Sequence, residues 1–233
     1  MKSSRSVPTE VVTVPVEVRL LFFLIIAVVI STDKMMAQNS HSVETTLAAY
    51  TGVRNDGQIT YHYLEVLQTR GKWILPDVGY IDLAEPGKYR EIFFGGGAVL
   101  HNSKHLTVVE EGYVNQTTGP ASGGALYFMP WTLVSYHPTS KITSETVYFP
   151  YLPLNKTGRI QHVLERSKLE YDFPRFKVGA GYGAYRFGDG EWQSKPFVTS
   201  TIKAGRVGSV ELWLQKMPEH HFQVQVRYVR VFP

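Results

Sequence analysis

The sequence predicts an all-β fold: an antiparallel up-and-down (meander) β-barrel of about 10 to 12 strands in a single domain. Three observations lead there. Past residue 40, β-rich segments recur roughly every 12 to 18 residues, the repeat expected of consecutive strands. Turn chemistry separates them. No window of about twelve residues in this region has the 3.6-residue apolar period of an amphipathic helix, so helices are short caps at most.

The turns run in order through Asn55-Asp56-Gly57, Arg70-Gly71, Pro86-Gly87, Asn102-Ser103, Gly119-Pro120, Pro138-Thr139, Asn155-Lys156, Gly188-Asp189-Gly190, Gly205-Arg206 and Pro218-Glu219. Gly, Pro, Asn and Asp each favour a reversal for a separate backbone reason. Connections this short join hairpin neighbours and predict a meander. The last third is clearest. In residues 177–187, Val178, Ala180, Tyr182 and Ala184 lie on one face, with Lys177, Gly179, Gly181, Gly183 and Tyr185 on the other. In the next strand Val198, Ile202 and Ala204 oppose Thr199, Thr201 and Lys203; then Val210, Leu212 and Leu214 oppose Ser209, Glu211, Trp213 and Gln215. In the last strand Phe222, Val224, Val226 and Tyr228 oppose Gln223, Gln225 and Arg227.

Such alternation fits a sheet that buries its apolar face in a protein core, or one that buries it in lipid and wets the lumen. Two details favour lipid. The polar faces carry Lys177, Lys203, Glu211 and Arg227 on neighbouring strands, charges that can pair across a barrel interior. Aromatic residues recur near strand ends, as at Trp73, Tyr80, Tyr136, Trp192 and Phe197, where amphipathic rings suit a membrane interface. Against a closed barrel stand Pro130, Pro150 and Pro153 inside strand-like runs, which need a bulge or a strand end. Residues 127–136 and 146–154 are apolar or aromatic on both faces, which suits a sandwich core as readily.

The terminal run HFQVQVRYVRVF, with alternating apolar positions and a penultimate aromatic, resembles the closing strand of bacterial outer-membrane β-barrel proteins. It departs from that pattern at Arg230, on the otherwise apolar face, and at Pro233, which follows the aromatic. The resemblance implies a transmembrane barrel in the bacterial outer membrane, with the lipid bilayer and the outer-membrane assembly machinery as partners.

Residues 20–30, LLFFLIIAVVI, follow Arg19 and are uninterrupted apolar residues. The run is shorter than the roughly 20 residues of a membrane-spanning helix and matches the apolar segment of a secretory signal. Residues 1–37 are read as signal peptide and N-terminal segment, with an uncleaved anchor or a buried segment as alternatives, and residues 38–233 as the barrel domain. The chain has no cysteine, which excludes disulfide staples, thiolate metal sites and a cysteine nucleophile. The net charge of +4 is scattered without a Lys/Arg block, so no nucleic-acid partner is expected.

No motif for catalysis, cofactor or metal stands out. Gly95-Gly96-Gly97 lacks the Gly-Lys-Ser/Thr continuation of a phosphate cradle and reads as a bend or close strand packing. His101 and His105 flank a hairpin turn, and His220 and His221 point to opposite sides of a strand. The candidate lumen charges are Lys177, Lys203, Glu211, Arg227, Glu110 and Glu111; at least one of the two adjacent glutamates points inward and needs a partner such as Arg90, Arg159 or Arg227. The expected function is structural, or the passive passage or binding of a small polar solute, with no cofactor. The alternatives are a soluble periplasmic or secreted β-sandwich binding protein and an outer-membrane lipid-modifying hydrolase.

Overall fold

A computed structural model describes residues 43–83, 88–205, 208–217 and 221–233. The expected signal segment, residues 1–37, and the turns at Pro86-Gly87, Arg206 and Pro218-Glu219 lie outside these residues. Twelve strands follow one another: β1 (Val43–Arg54), β2 (Ile59–Arg70), β3 (Trp73–Leu83), β4 (Tyr89–Asn102), β5 (Leu106–Thr118), β6 (Leu126–Thr139), β7 (Ile142–Pro153), β8 (Gln161–Asp172), β9 (Phe176–Phe187), β10 (Gln193–Lys203), β11 (Ser209–Lys216) and β12 (Phe222–Phe232). Each pairs antiparallel with its sequence neighbours, and β12 closes on β1 from Thr45↔Phe232 to Arg54↔Gln223. A single closed sheet has no free edge. It also excludes the two-sheet sandwich.

The turns lie where Gly and Asn/Asp clusters predict them. Gly57, Gly71, Gly119 and Gly188 have φ of 85°, 59°, 98° and 53°, a region costly for residues with a Cβ. Pro138 is different. β6 continues through it to Thr139, with a register shift between Tyr136 and Thr139, and the reversal falls on residues 140 and 141. The longest connections follow odd-numbered strands, as from Thr118 to Leu126 and from Pro153 to Gln161; those after β2, β4, β6 and β8 are tight, as from Arg70 to Trp73, and that after β10, from Lys203 to Ser209, is longer. The barrel thus has a long-turn end and a tight-turn end.

The prolines fit because the ladder opens for them. Between β6 and β7 the pairing passes from Phe128↔Leu152 to Thr132↔Tyr148, so Pro130 and Pro150 fall in the interruption, where a missing N–H costs no ladder bond. Pro153 is the last residue of β7. The runs apolar on both faces belong to an interior cluster: Tyr127, Met129 and Tyr151 bury against Phe93, Tyr113 and Ala125, with Trp131 and Phe149 packed alongside. Aromatic rings there fill the barrel rather than a sandwich.

Candidate functional site

The two faces of the sheet have inverted polarity. Facing in are Asp77, Glu91, Glu111, Lys168, Glu170 and Arg227, all buried. On the opposite face, Phe94, Val114, Leu169, Val198, Ile202, Leu212, Leu214, Val224 and Val226 are exposed. A water-soluble domain buries its apolar side chains and leaves unpaired charge outside.

Glycines on the inner face let side chains cross the lumen. A Cβ at Gly79 would stand 2.0 Å from the Phe93 ring, and one at Gly97 2.0 Å from the Glu110 carbonyl oxygen. A Cβ at Gly179 or Gly181 on β9 would stand 2.4 Å from a β8 carbonyl oxygen. Over the Gly79 and Gly95 positions runs an aromatic row: Tyr50 stacks on Tyr63 at 4.7 Å, Tyr63 on Phe93 at 5.8 Å, and Phe93 meets Tyr113 edge-on at 5.3 Å. The triple glycine is therefore close strand packing.

Charges fill the interior in distinct groups. The largest joins β7, β8, β11 and β12. Arg227 Nη2 lies 2.5 Å from Glu165 Oε1 and Nη1 3.8 Å from Glu211 Oε2, while its guanidinium sits between the rings of Tyr50, at 4.2 Å, and Trp213, at 4.3 Å. Lys168 Nζ reaches Glu211 at 2.8 Å, Glu170 at 3.1 Å and Glu145 at 3.8 Å. Arg166 pairs with Glu165 at 2.8 Å and with Glu145. The Arg227–Glu165 and Lys168–Glu211 pairs span strands that are not neighbours in the sheet, so they are chords across the lumen.

Carboxyl groups dominate the wall formed by β2 to β5. Tyr113 Oη lies 2.7 Å from Asp77 Oδ2 and also contacts Glu111; Glu65, on the adjacent strand β2, lies near Asp77. Among the described residues no Lys or Arg pairs with these three carboxyl groups. Toward the long-turn end, Glu91 accepts from Tyr89 Oη at 2.8 Å, Tyr151 Oη at 2.9 Å and Asn115 Nδ2 at 3.3 Å. Those neutral donors satisfy a buried carboxylate without a cation.

Of the charges singled out in the sequence, Glu211 and Arg227 meet in the main network, and Lys203 and Lys177 converge on Asp172 at the tight-turn rim, at 2.5 and 3.8 Å. Glu111 faces inward, but its partner is a tyrosine rather than an arginine. Arg90 instead lies 3.7 Å from Asp82. Glu110 needs correction: strand alternation turns it to the outer face, where Thr132 Oγ1 donates to both its carboxylate oxygens at 3.0 and 2.9 Å.

Glu65, Asp77, Glu91, Glu165, Arg166 and Lys168 escape the sequence reading. A register shift in β8 between Leu164 and Ser167 lets the consecutive Glu165 and Arg166 both enter the interior network, against period two. The clustered charges at 165, 166, 168 and 170 within one strand were the available signal. Hydroxyl and imidazole groups also meet inside: Ser135 Oγ is 3.2 Å from His137 Nε2, and His137 Nδ1 is 3.1 Å from Thr143 Oγ1. The third member is a threonine, not the carboxylate that orients the base of a hydrolytic triad.

No protein family and no curated protein matches this chain. Solved structures do. The chain is similar to the KdgM porin at 10% identity and a TM-score of 0.55, over 78% of this chain and 98% of that one. It also matches a triple mutant of the Rhodopseudomonas blastica porin at 12% identity and a TM-score of 0.39, over 74% of this chain and 56% of that one. The first likeness is one of fold.

Proposed function

We propose that the chain is an outer-membrane β-barrel whose lumen passes or binds small polar solutes without chemistry. The inverted polarity carries the reading. An apolar outer belt over a charged interior is stable where lipid surrounds the barrel, because Lys or Arg on the lipid side would cost about 2 to 4 kcal/mol at the midplane and a closed sheet presents no open edge to lipid. The likeness in fold to the KdgM porin supports it.

The cross-lumen pairs set the size limit. Arg227–Glu165 and Lys168–Glu211 divide the interior, so a solute that passes must be small and able to exchange hydrogen bonds with fixed charges of both signs. Planar-bilayer recording of the refolded protein tests this. Small discrete conductance steps in salt are expected; a silent barrel that inserts and shows heat-dependent gel mobility would leave the structural role instead.

A further inference from the structure

Polar side chains gather on the outer wall near the long-turn end, away from the lumen network. β8 and β9 set His162 opposite Arg186, on the face away from the interior-packed Val163. Trp192, just before β10, covers both: its ring centroid is 5.3 Å from the Arg186 guanidinium carbon and 6.2 Å from the His162 ring. From β7, Tyr148 Oη lies 2.8 Å from His162 Nδ1. With the phenol donating, the imidazole carries its hydrogen on Nε2, which is left to donate elsewhere. Arg186 has no ion pair among the described residues, and its Nε is buried without a hydrogen-bond partner. Asp189 and Glu191 in the adjoining turn are exposed and unpaired with it.

A cation held on an aromatic face beside a second N–H donor suits a phosphate, which Arg binds through its planar fork. The height agrees. Arg186 is one residue from the end of β9 and His162 one from the start of β8, at the rim, where the bilayer of the function proposed above would place head groups. The next turn adds Lys156 and Arg159.

We propose that Arg186 and His162, with Trp192 and Tyr148 positioning them, form a binding site for the phosphorylated head group of a membrane lipid in the leaflet at the long-turn end. The inference rests on the membrane-barrel reading. The test uses the full chain, refolded into phosphatidylcholine nanodiscs containing a minor fraction of phosphatidic acid, with retained phosphatidic acid counted by native mass spectrometry after transfer to detergent. Wild type should retain it, Arg186→Gln should retain about tenfold less, as expected for one lost charge-assisted contact, and His162→Gln should lose less. Arg186→Lys should fall between, keeping the charge without the fork.

Excess inorganic phosphate should leave the lipid bound; its displacement would overturn the lipid assignment in favour of a soluble anion. Equal retention by wild type and Arg186→Gln, both showing the heat-dependent mobility of a folded barrel, would overturn the site. If Arg186→Gln does not refold, retention at the wild-type level by both Arg186→Lys and His162→Gln overturns it in the same way. A wild-type chain that never inserts overturns the barrel and the site together, which separates that failure from an inserted barrel without lipid preference.

Discussion

Replacing Arg227 by methionine removes one guanidinium from the centre of the lumen at nearly constant volume. Its ion pair with Glu165 at 2.5 Å and its places on Tyr50 and Trp213 vanish together. Breaking a buried pair by deleting one partner costs about 3 to 5 kcal/mol, because the other charge stays buried. Glu165 retains Arg166 at 2.8 Å, which pulls the figure to the low end, and each lost cation–π contact adds on the order of 1 kcal/mol. About 5 kcal/mol is therefore expected for Arg227→Met. Lys203→Met is the control: its side chain is 40% exposed where it meets Asp172, so a loss of about 1 kcal/mol or less follows.

Urea unfolding from phospholipid vesicles, followed by tryptophan fluorescence, measures both, and Trp213 reports directly on the site. Adding Glu165→Gln to Arg227→Met should recover part of the loss, since the uncompensated carboxylate goes with it. Equal destabilisation by Arg227→Met and Lys203→Met, or no recovery in the double variant, would refute the cross-lumen network as a source of stability.

Other outcomes follow from single positions. Gly97→Ala places a Cβ 2.0 Å from the Glu110 carbonyl oxygen, a backbone atom, whereas Gly112→Ala meets only the Phe128 ring at 3.3 Å; urea titration should show a loss of about 1 to 3 kcal/mol for the first and less for the second. Glu110→Gln removes a charge from the apolar outer wall while keeping a partner for Thr132, and should raise the urea midpoint. In the β1–β2 turn, Arg54 hydrogen-bonds to Asp56 and, with the Gln58 amide, holds its carboxyl down to about 2. A depressed folded value means that this contribution is present above about pH 4 and is lost as pH falls toward 2. Carbon-detected NMR titration should find Asp56 moving back toward about 3.9 in Arg54→Gln.

Strand alternation made the last third legible. From Lys177 onward, every inner and outer assignment follows from period two, and Glu211 and Arg227 meet as that period requires. Three things hid the rest. The shift at Leu164 to Ser167 breaks the period where the central charges sit. The interior aromatic cluster makes β6 and β7 look apolar on both faces. For adjacent charges such as Glu110 and Glu111, one strand's pattern fixes opposite sides but not which one faces in; the pairing of Glu111 with Gly97 and Trp131 decides it.

The lack of cysteine permits the most direct test of the membrane barrel. Single substitutions Leu212→Cys, Leu214→Cys, Ser209→Cys and Gln215→Cys on β11 would each be spin-labelled in the refolded, vesicle-bound protein. Relaxation by oxygen, which concentrates in lipid, and by a water-soluble nickel complex would then be compared. Labels at 212 and 214 should respond to oxygen and be shielded from nickel, while those at 209 and 215 should not show the oxygen response. Nickel access at 212 and 214 equal to that of an exposed turn position would contradict a lipid-facing outer wall.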